Sequence, residues 1–275
     1  MNGLINSIQQ IISLIQIQFN KIMKSLTAYI NEKMIYTKDN SIQKYNYHPK
    51  TKKELQDIIK QLIEERGNEG DFNDIDTSEI IDMSKLFSDM PDFNGDISKW
   101  DVSNVIDMTR MFFGCELFDQ PLNDWDVSNV TNMKSMFYEC KSFNQPLDKW
   151  DVSNVTDMSG MFEKCHKFNR PLNNLNVYKV TDMNRMFQGC ELFDQPLNDW
   201  DVSNVTNMEG MFAYCITFNQ DISDWNISNV TIMNHIFAYC KSFNQDISSW
   251  DISNVTNTRY MFYKCPIEEK YKPKF

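Results

Sequence analysis

The chain has 275 residues, 41% of them hydrophobic and 24% charged, with a formal net charge of -11. No stretch reaches the 18 or more uninterrupted apolar residues of a membrane-spanning helix, and no block of like charges forms a tail. Residues 1–66 hold 10 Lys/Arg against 6 Asp/Glu and the remainder 17 against 32, so most of the chain is a polyanion that repels phosphate backbones, which argues against nucleic acid as a ligand.

Residues 1–30 place Met1, Ile5, Ile8, Ile12, Ile15, Phe19, Ile22, Leu26 and Tyr29 at alternating steps of four and three, with glutamines between them. That spacing predicts an amphipathic helix with a heptad seam, suited to a coiled coil or to docking. Leu4, Ile11 and Leu14 widen its apolar face, which leaves a membrane-surface helix open as well. A secretory signal is a further reading, although it would want a positive n-region, a cleaner apolar stretch and a small-residue cleavage site, and the first lysine stands only at 21. Residues 31–50 show neither the helical nor the strand period and read as a connector ending in the turn dipeptide His48-Pro49. Within 51–70, Thr51-Lys52-Lys53-Glu54 has the pattern of a capping box. Leu55, Ile58, Ile59, Leu62 and Ile63 then recur at helical spacing until Gly67 and Gly70, which predicts a helix that caps the region beginning at residue 71.

From 71 to 267 one unit repeats. Cys115, Cys140, Cys165, Cys190, Cys215, Cys240 and Cys265 stand 25 residues apart and are all the cysteines of the chain. Trp100, Trp125, Trp150, Trp200, Trp225 and Trp250 keep the same step, with Leu175 in the gap, and so does the Phe93 to Phe243 series. A fixed period of this length marks a tandem array. Within 118–142, Val130–Met133 suits a short strand, Ser135–Cys140 a helical or 3₁₀ turn, and Phe118–Trp125 an extended piece around Pro121. The expected fold is an α/β repeat solenoid, leucine-rich-repeat-like, with short parallel strands and short helical turns in about eight 25-residue coils behind N-terminal helices. At ~4.8 Å per step the coils would make a rod of roughly 35–40 Å. Residues 115–133 recur letter for letter at 190–208, so three units were duplicated together, and residues 268–275 are left as a C-terminal tail.

The repeated polar residues admit chemical and structural readings. Seven thiols cannot all pair, and side chains projecting in parallel are badly oriented for disulfides, so a reduced, buried ladder is expected. No Cys-x-x-Cys occurs, and His48, His166 and His235 share no ligand spacing, so neither a metal nor a cofactor is expected. Asp101, Asp126, Asp151, Asp201 and Asp251 share a column with Asn176 and Asn226. The Asn replacements suit Asx-turns better than Ca²⁺ ligation. Asn104, Asn129, Asn154, Asn204, Asn229 and Asn254 read as a buried amide ladder satisfying backbone groups. Five of them also head Asn-Val-Thr sequons, which the repeat itself accounts for.

Two columns vary while the others stay fixed. One runs Phe113, Tyr138, Glu163, Gln188, Ala213, Ala238, Tyr263, and the next Gly114, Glu139, Lys164, Gly189, Tyr214, Tyr239, Lys264. Phe113, Tyr138, Tyr214, Tyr239 and Tyr263 are therefore the candidate partner contacts, because aromatic rings offer large contact areas at low entropic cost.

The pattern Phe-Asn-Gln-Pro-Leu…Trp-Asp-Val-Ser-Asn-Val-Thr-x-Met-x-x-Met-Phe…Cys of residues 143–165 closely resembles the BspA-like, leucine-rich-repeat-type surface proteins, a repeat also found in mycoplasma-type lipoproteins. The resemblance covers about 72–265. It implies a surface or adhesion protein that binds host or matrix proteins and brings no enzymatic residues. Residues 1–30 show neither a lipobox cysteine nor a sorting motif, which leaves cell surface, secreted and intracellular locations all open. The expected function is thus non-catalytic protein recognition of the adhesion type. The alternative is a structural or assembly protein that forms homo-oligomers or docks on a membrane through residues 1–30.

Overall fold

The computed structural model describes residues 18, 19, 21–23, 34–36 and 42–274. Two compact units divide the chain, Met1–Tyr47 and His48–Phe275. Most of the expected helix of residues 1–30, with all of its heptad seam but Phe19 and Ile22, lies outside the described residues; residues 18, 19 and 21–23 are helical and exposed. The connector holds structure that its lack of periodicity concealed. Strand β1 (Met34–Tyr36) pairs antiparallel with β2 (Ile42–Lys44), with Ile35 opposite Gln43. Three residues per strand are too few to display an alternation, and Asp39, Asn40 and Ser41 between them are turn-favouring types.

The second unit opens with helix α1 (Lys52–Arg66). Thr51 Oγ1 accepts the Glu54 amide at 3.2 Å, but the Glu54 carboxylate accepts from the Lys50 amide at 2.6 Å, one residue before the position that a capping box requires. Gly67 ends the helix at φ 77°, its amide donating to the Ile63 carbonyl. Of the predicted apolar stripe, Leu55, Ile59 and Leu62 are fully buried, while Ile58 and Ile63 are half-buried. Polar links tie the start of this unit to the first repeats: His48 to Asp76, Lys52 to Asp82 and Ser84, and a two-pronged Arg66–Asp74 pair at 2.8 and 3.0 Å.

Beyond α1, successive repeats lie against one another in parallel. Single-residue parallel bridges join Asp82, Asp107, Asn132, Asp157, Asp182, Asn207, Ile232 and Asn257, each to the next. The amides of Met133, Ser135, Phe137 and Glu139 donate to the carbonyls of Asp157, Ser159, Met161 and Glu163, and the pattern recurs from repeat to repeat. The strand predicted at Val130–Met133 shrinks to one bridged residue, and the predicted helical piece at Ser135–Cys140 is a run of hydrogen-bonded turns: Met136 to Met133, Tyr138 to Ser135, Cys140 to Phe137. The physical reason is a left-handed residue in every other turn, Ser135 at φ 51° and Glu139 at φ 58°, which interrupts both strand and helix. The tail is also more ordered than expected. A 3₁₀ helix covers Glu269–Tyr271, the Tyr271 carbonyl accepts from the Ile247 amide at 2.9 Å, and Pro273 is buried.

The interior is a double file of stacked rings. Phe87, Phe112, Phe137 and their successors to Phe262 stack at 5.4–6.0 Å. The Phe93 to Phe243 file runs beside it and touches at about 4.1 Å, as between Phe112 and Phe118. These phenylalanines and the methionines around them supply most of the hydrophobic stabilisation, on the order of 1.5–3 kcal/mol for each fully buried side chain.

Candidate functional site

The fixed polar columns are occupied with holding neighbouring repeats together. Each Trp indole donates to a carbonyl 28 residues earlier, for example Trp125 to Ile97 and Trp150 to Leu122. Leu175 removes that donor from the Leu147 carbonyl. The cysteines are free, buried from Cys115 to Cys240 and half-buried at Cys265, and Cys140 Sγ donates to the Phe112 carbonyl at 3.1 Å, a bond repeated from Cys115 to Cys240, whereas Cys265 donates to the Phe243 carbonyl. Burial pushes the Cys115 thiol up to about 12, and Cys140, Cys165, Cys215 and Cys240 well above their ordinary value. Such thiols are donors, not nucleophiles.

The Asp101 column forms the Asx-turns expected of it: Asp101 Oδ1 accepts from the Ser103 amide at 3.0 Å and from its hydroxyl at 2.6 Å. The Asn ladder exists, with Asn129 Nδ2 donating to the Ser103 carbonyl at 2.7 Å, but it is not buried as predicted. Asn104, Asn129, Asn229 and Asn254 are exposed, because a side chain reaching along the outer edge of the stack needs only one neighbour. Sequence reasoning missed two further ladders. Asn94, Asp119, Asn144, Asn169, Asp194, Asn219 and Asn244 each accept from the amide one repeat on, as Asn144 Oδ1 does from Asn169 at 3.0 Å. The bridged residues Asp82 to Asp182 cap the amide two residues later. A column of nothing but Asn and Asp was the available signal for the first of these. Among the described residues no cluster of three His, Cys, Asp or Glu is placed to hold a metal, and no helix is long and apolar enough to cross a membrane.

The variable residues occupy one face. In all eight repeats, the residue at the Ser135 position and the residue at the Glu139 position have φ between 51° and 75°. Only Gly114, Gly160, Gly189 and Gly210 are glycines; the twelve others include Arg110, Lys164, Arg185, Tyr214, His235 and Tyr239. A left-handed non-glycine residue costs on the order of 1–3 kcal/mol, so this conformation is held by the surrounding bonds. Arg110, Arg185, Tyr214 and Tyr260 are exposed and Glu139, Lys164, His235 and Tyr239 half-buried, a fringe of side chains along the array.

The fringe encloses two depressions. The larger, about 620 Å³, is lined by Tyr214, Tyr239, Tyr260 and Tyr263 over a floor of Gly210 and Ala238. The smaller, about 310 Å³, holds Phe113, Tyr138, Ser159 and Glu163, and Arg185 belongs to both. The five predicted partner residues are thus split. Phe113 and Tyr138 stack at 4.4 Å in one depression, whereas Tyr214 stacks on Tyr239 at 4.4 Å, and Tyr239 meets Tyr263 edge-on, in the other. Tyr260, Arg110, Arg185, Lys134 and Glu209, which also line these depressions, stand outside the two variable columns that marked the candidates.

The electrostatics of this face differ from the rest of the array. Lys164 donates to the Tyr138 hydroxyl at 2.9 Å and to Glu139 at 2.5 Å; the Glu139 contact foremost, then Tyr138, hold its ammonium above the usual lysine range. Glu163 is 8% exposed and makes no side-chain hydrogen bond or ion pair among the described residues, and burial raises its carboxyl despite Arg185 and Lys164 nearby. Ser159 Oγ is buried without a partner. A third depression, about 600 Å³ and lined by Ile81, Ile106, Asn129 and Thr131, shares no residue with these two.

A family model described as Mycoplasma protein of unknown function, DUF285, matches residues 54–175 and again 156–272, two matches in tandem. No curated protein and no solved structure matches the chain.

Proposed function

On the premise that the chain belongs to the Mycoplasma repeat family DUF285, we propose that it is a non-catalytic recognition module of the adhesion type, a leucine-rich-repeat-like solenoid of the BspA-like kind that binds a protein partner through its variable face. The observation that carries this reading is the fringe of twelve left-handed, non-glycine residues. Glycine at the same positions relieves the strain, as Gly114, Gly160, Gly189 and Gly210 show, so bulky and charged residues kept there point to a use for the side chains. Catalysis needs unlike groups converging on one centre, whereas the fixed columns repeat like groups and spend them on their neighbours.

The test compares the full chain with Tyr214→Gly/Tyr239→Gly in binding to a panel of immobilised matrix proteins. Glycine suits both positions, so the fold is retained, and binding is expected to weaken tenfold or more. Unchanged binding in that variant, with loss in Thr156→Ala/Thr181→Ala on another face, would refute the proposal.

One observation favours a second reading, assembly through the N-terminal helix: Phe19, Ile22 and Met23 are exposed on helical residues. Light scattering in reducing buffer decides it. An oligomeric full chain beside a monomeric chain of residues 46–275 assigns assembly to that segment, and two monomers eliminate self-assembly.

A further inference from the structure

The array is a polyanion, yet its variable face is not. Across the columns of the fringe from 109 to 264 stand Arg110, Lys134, Lys164, Arg185, Arg259 and Lys264 against Glu139, Glu163 and Glu209. Two of these cations are neutralised within the face, Lys164 by Glu139 and Arg185 by Glu209 at 3.3 Å. The other four have no carboxylate partner among the described residues. Arg110 lies over the Phe113 ring, Arg259 over Tyr260 and Lys264 over Tyr239 and Tyr263, while Lys134 makes no side-chain contact of these kinds. They stand at the two ends of the paired depressions, five repeats apart counted from Lys134 and six from Arg110, about 24–29 Å at the spacing of hydrogen-bonded neighbours.

Between those ends lie hydrogen-bonding groups that the protein leaves unused. Ser159 Oγ is buried and unpartnered, and the Glu163 carboxylate, which lines the same depression, accepts no hydrogen bond among the described residues. A Cβ on Gly160 would come within 3.1 Å of Ser135 Oγ and 3.3 Å of Glu163 Oε2, so the bare glycine leaves the hollow open there. An open ring face completes the set. Tyr214 is covered on one side by Tyr239, but on the other its column neighbour is Gly189, which has no side chain, and Tyr214 stays 46% exposed. Tyr239, by contrast, has Tyr214 stacked on it and the Lys264 ammonium 5.0 Å from its centroid.

An aromatic platform, unsatisfied donors and acceptors along a shallow trough, and cations at both ends ask for a ligand that offers an apolar ring face, hydroxyls of both senses and spaced negative charge. Resting on the reading of this face as the recognition surface, we infer that its ligand is a linear acidic polysaccharide, of the uronate-bearing class, carried by the partner to which the protein adheres. Sugar C–H faces pack on Tyr214, hydroxyls donate to Glu163 and accept from Ser159, and carboxylates meet Lys134 and Arg110 at one end and Arg259 and Lys264 at the other. An extended acidic peptide shares the charge but has no saturated ring to lie on Tyr214, so the polysaccharide is favoured.

The experiment measures binding of the full chain to polygalacturonate, to a neutral linear β-glucan and to poly-glutamate of matched length. Binding to polygalacturonate is expected at least tenfold tighter than to the other two. It should weaken with salt, tenfold or more in Tyr214→Gly, and by a similar factor in Lys134→Ala/Arg259→Ala. Poly-glutamate binding as tightly would make the face a site for acidic polypeptide and overturn the inference, as would no binding to polygalacturonate or a Tyr214→Gly variant of unchanged affinity. A matrix protein whose capture needs Tyr214 and Tyr239 but survives enzymatic removal of its glycans would overturn the inference alone and leave the recognition reading standing.

Discussion

The interior columns and the fringe are built on the same backbone and obey opposite rules. In the interior the residue repeats: phenylalanine succeeds phenylalanine from Phe93 to Phe243, and each ring lies on the next. In the fringe the conformation repeats and the residue does not, since arginine, serine, glycine, histidine and tyrosine all take the same left-handed φ. Packing dictates the first, because a stack tolerates no change of shape when every neighbour presents the same ring. Hydrogen bonds of the turns dictate the second, and they are indifferent to the side chain, which leaves it free to vary.

Breaking the interior should cost most. Phe137→Ala removes a fully buried ring that touches Phe112, Phe143 and Phe162, and an expected loss of about 3–5 kcal/mol is measurable by urea unfolding. Alkali attacks the same region through the thiols. Their folded pKa values are raised, so the stability they contribute is complete below the ordinary thiol value. As pH climbs past that value the unfolded chain loses protons that the folded chain keeps, and stability falls at up to roughly 1.4 kcal/mol per pH unit per thiol. A series of urea melts from pH 7 to 10.5 checks this, and in the native protein only Cys265 should react with iodoacetamide.

Smaller changes sharpen the contrast. Leu175→Trp restores the indole donor to the Leu147 carbonyl and closes the gap between Trp150 and Trp200, for an expected gain of about 1 kcal/mol in thermal unfolding. Ser135→Gly relieves a left-handed residue whose hydroxyl makes no hydrogen bond among the described residues and should also stabilise, by about 1 kcal/mol, whereas Gly210→Ala should destabilise. Asn129→Ala, which removes one exposed bond along the edge, is expected to cost about 0.5–1 kcal/mol.

Much of this was legible in the chain. The 25-residue period, the Cys and Trp columns and the Asx-turn reading of Asp101 are all present in the structure as spaced contacts between neighbouring repeats. So is α1, whose stripe and cap signals are local. The strand and helix expected inside each repeat were not, because their propensities describe isolated segments while every amide from Met133 to Glu139 is claimed by a turn or by the next repeat. The hairpin of β1 and β2 was equally illegible, being too short to carry a period.

The sequence by itself determined the repeat length, the ring-lined interior and the two columns that vary, since a residue buried against its own copies must recur at each step. Only the tertiary structure decided that Arg185 joins two depressions, that Tyr214 is stacked on Tyr239 yet stays exposed, and that Ser159 Oγ lies buried without a partner in a depression that Glu163 also lines. The placement of Arg185 and Tyr214 goes with a left-handed φ, and hydrogen bonds between repeats impose that conformation on residues with no preference for it.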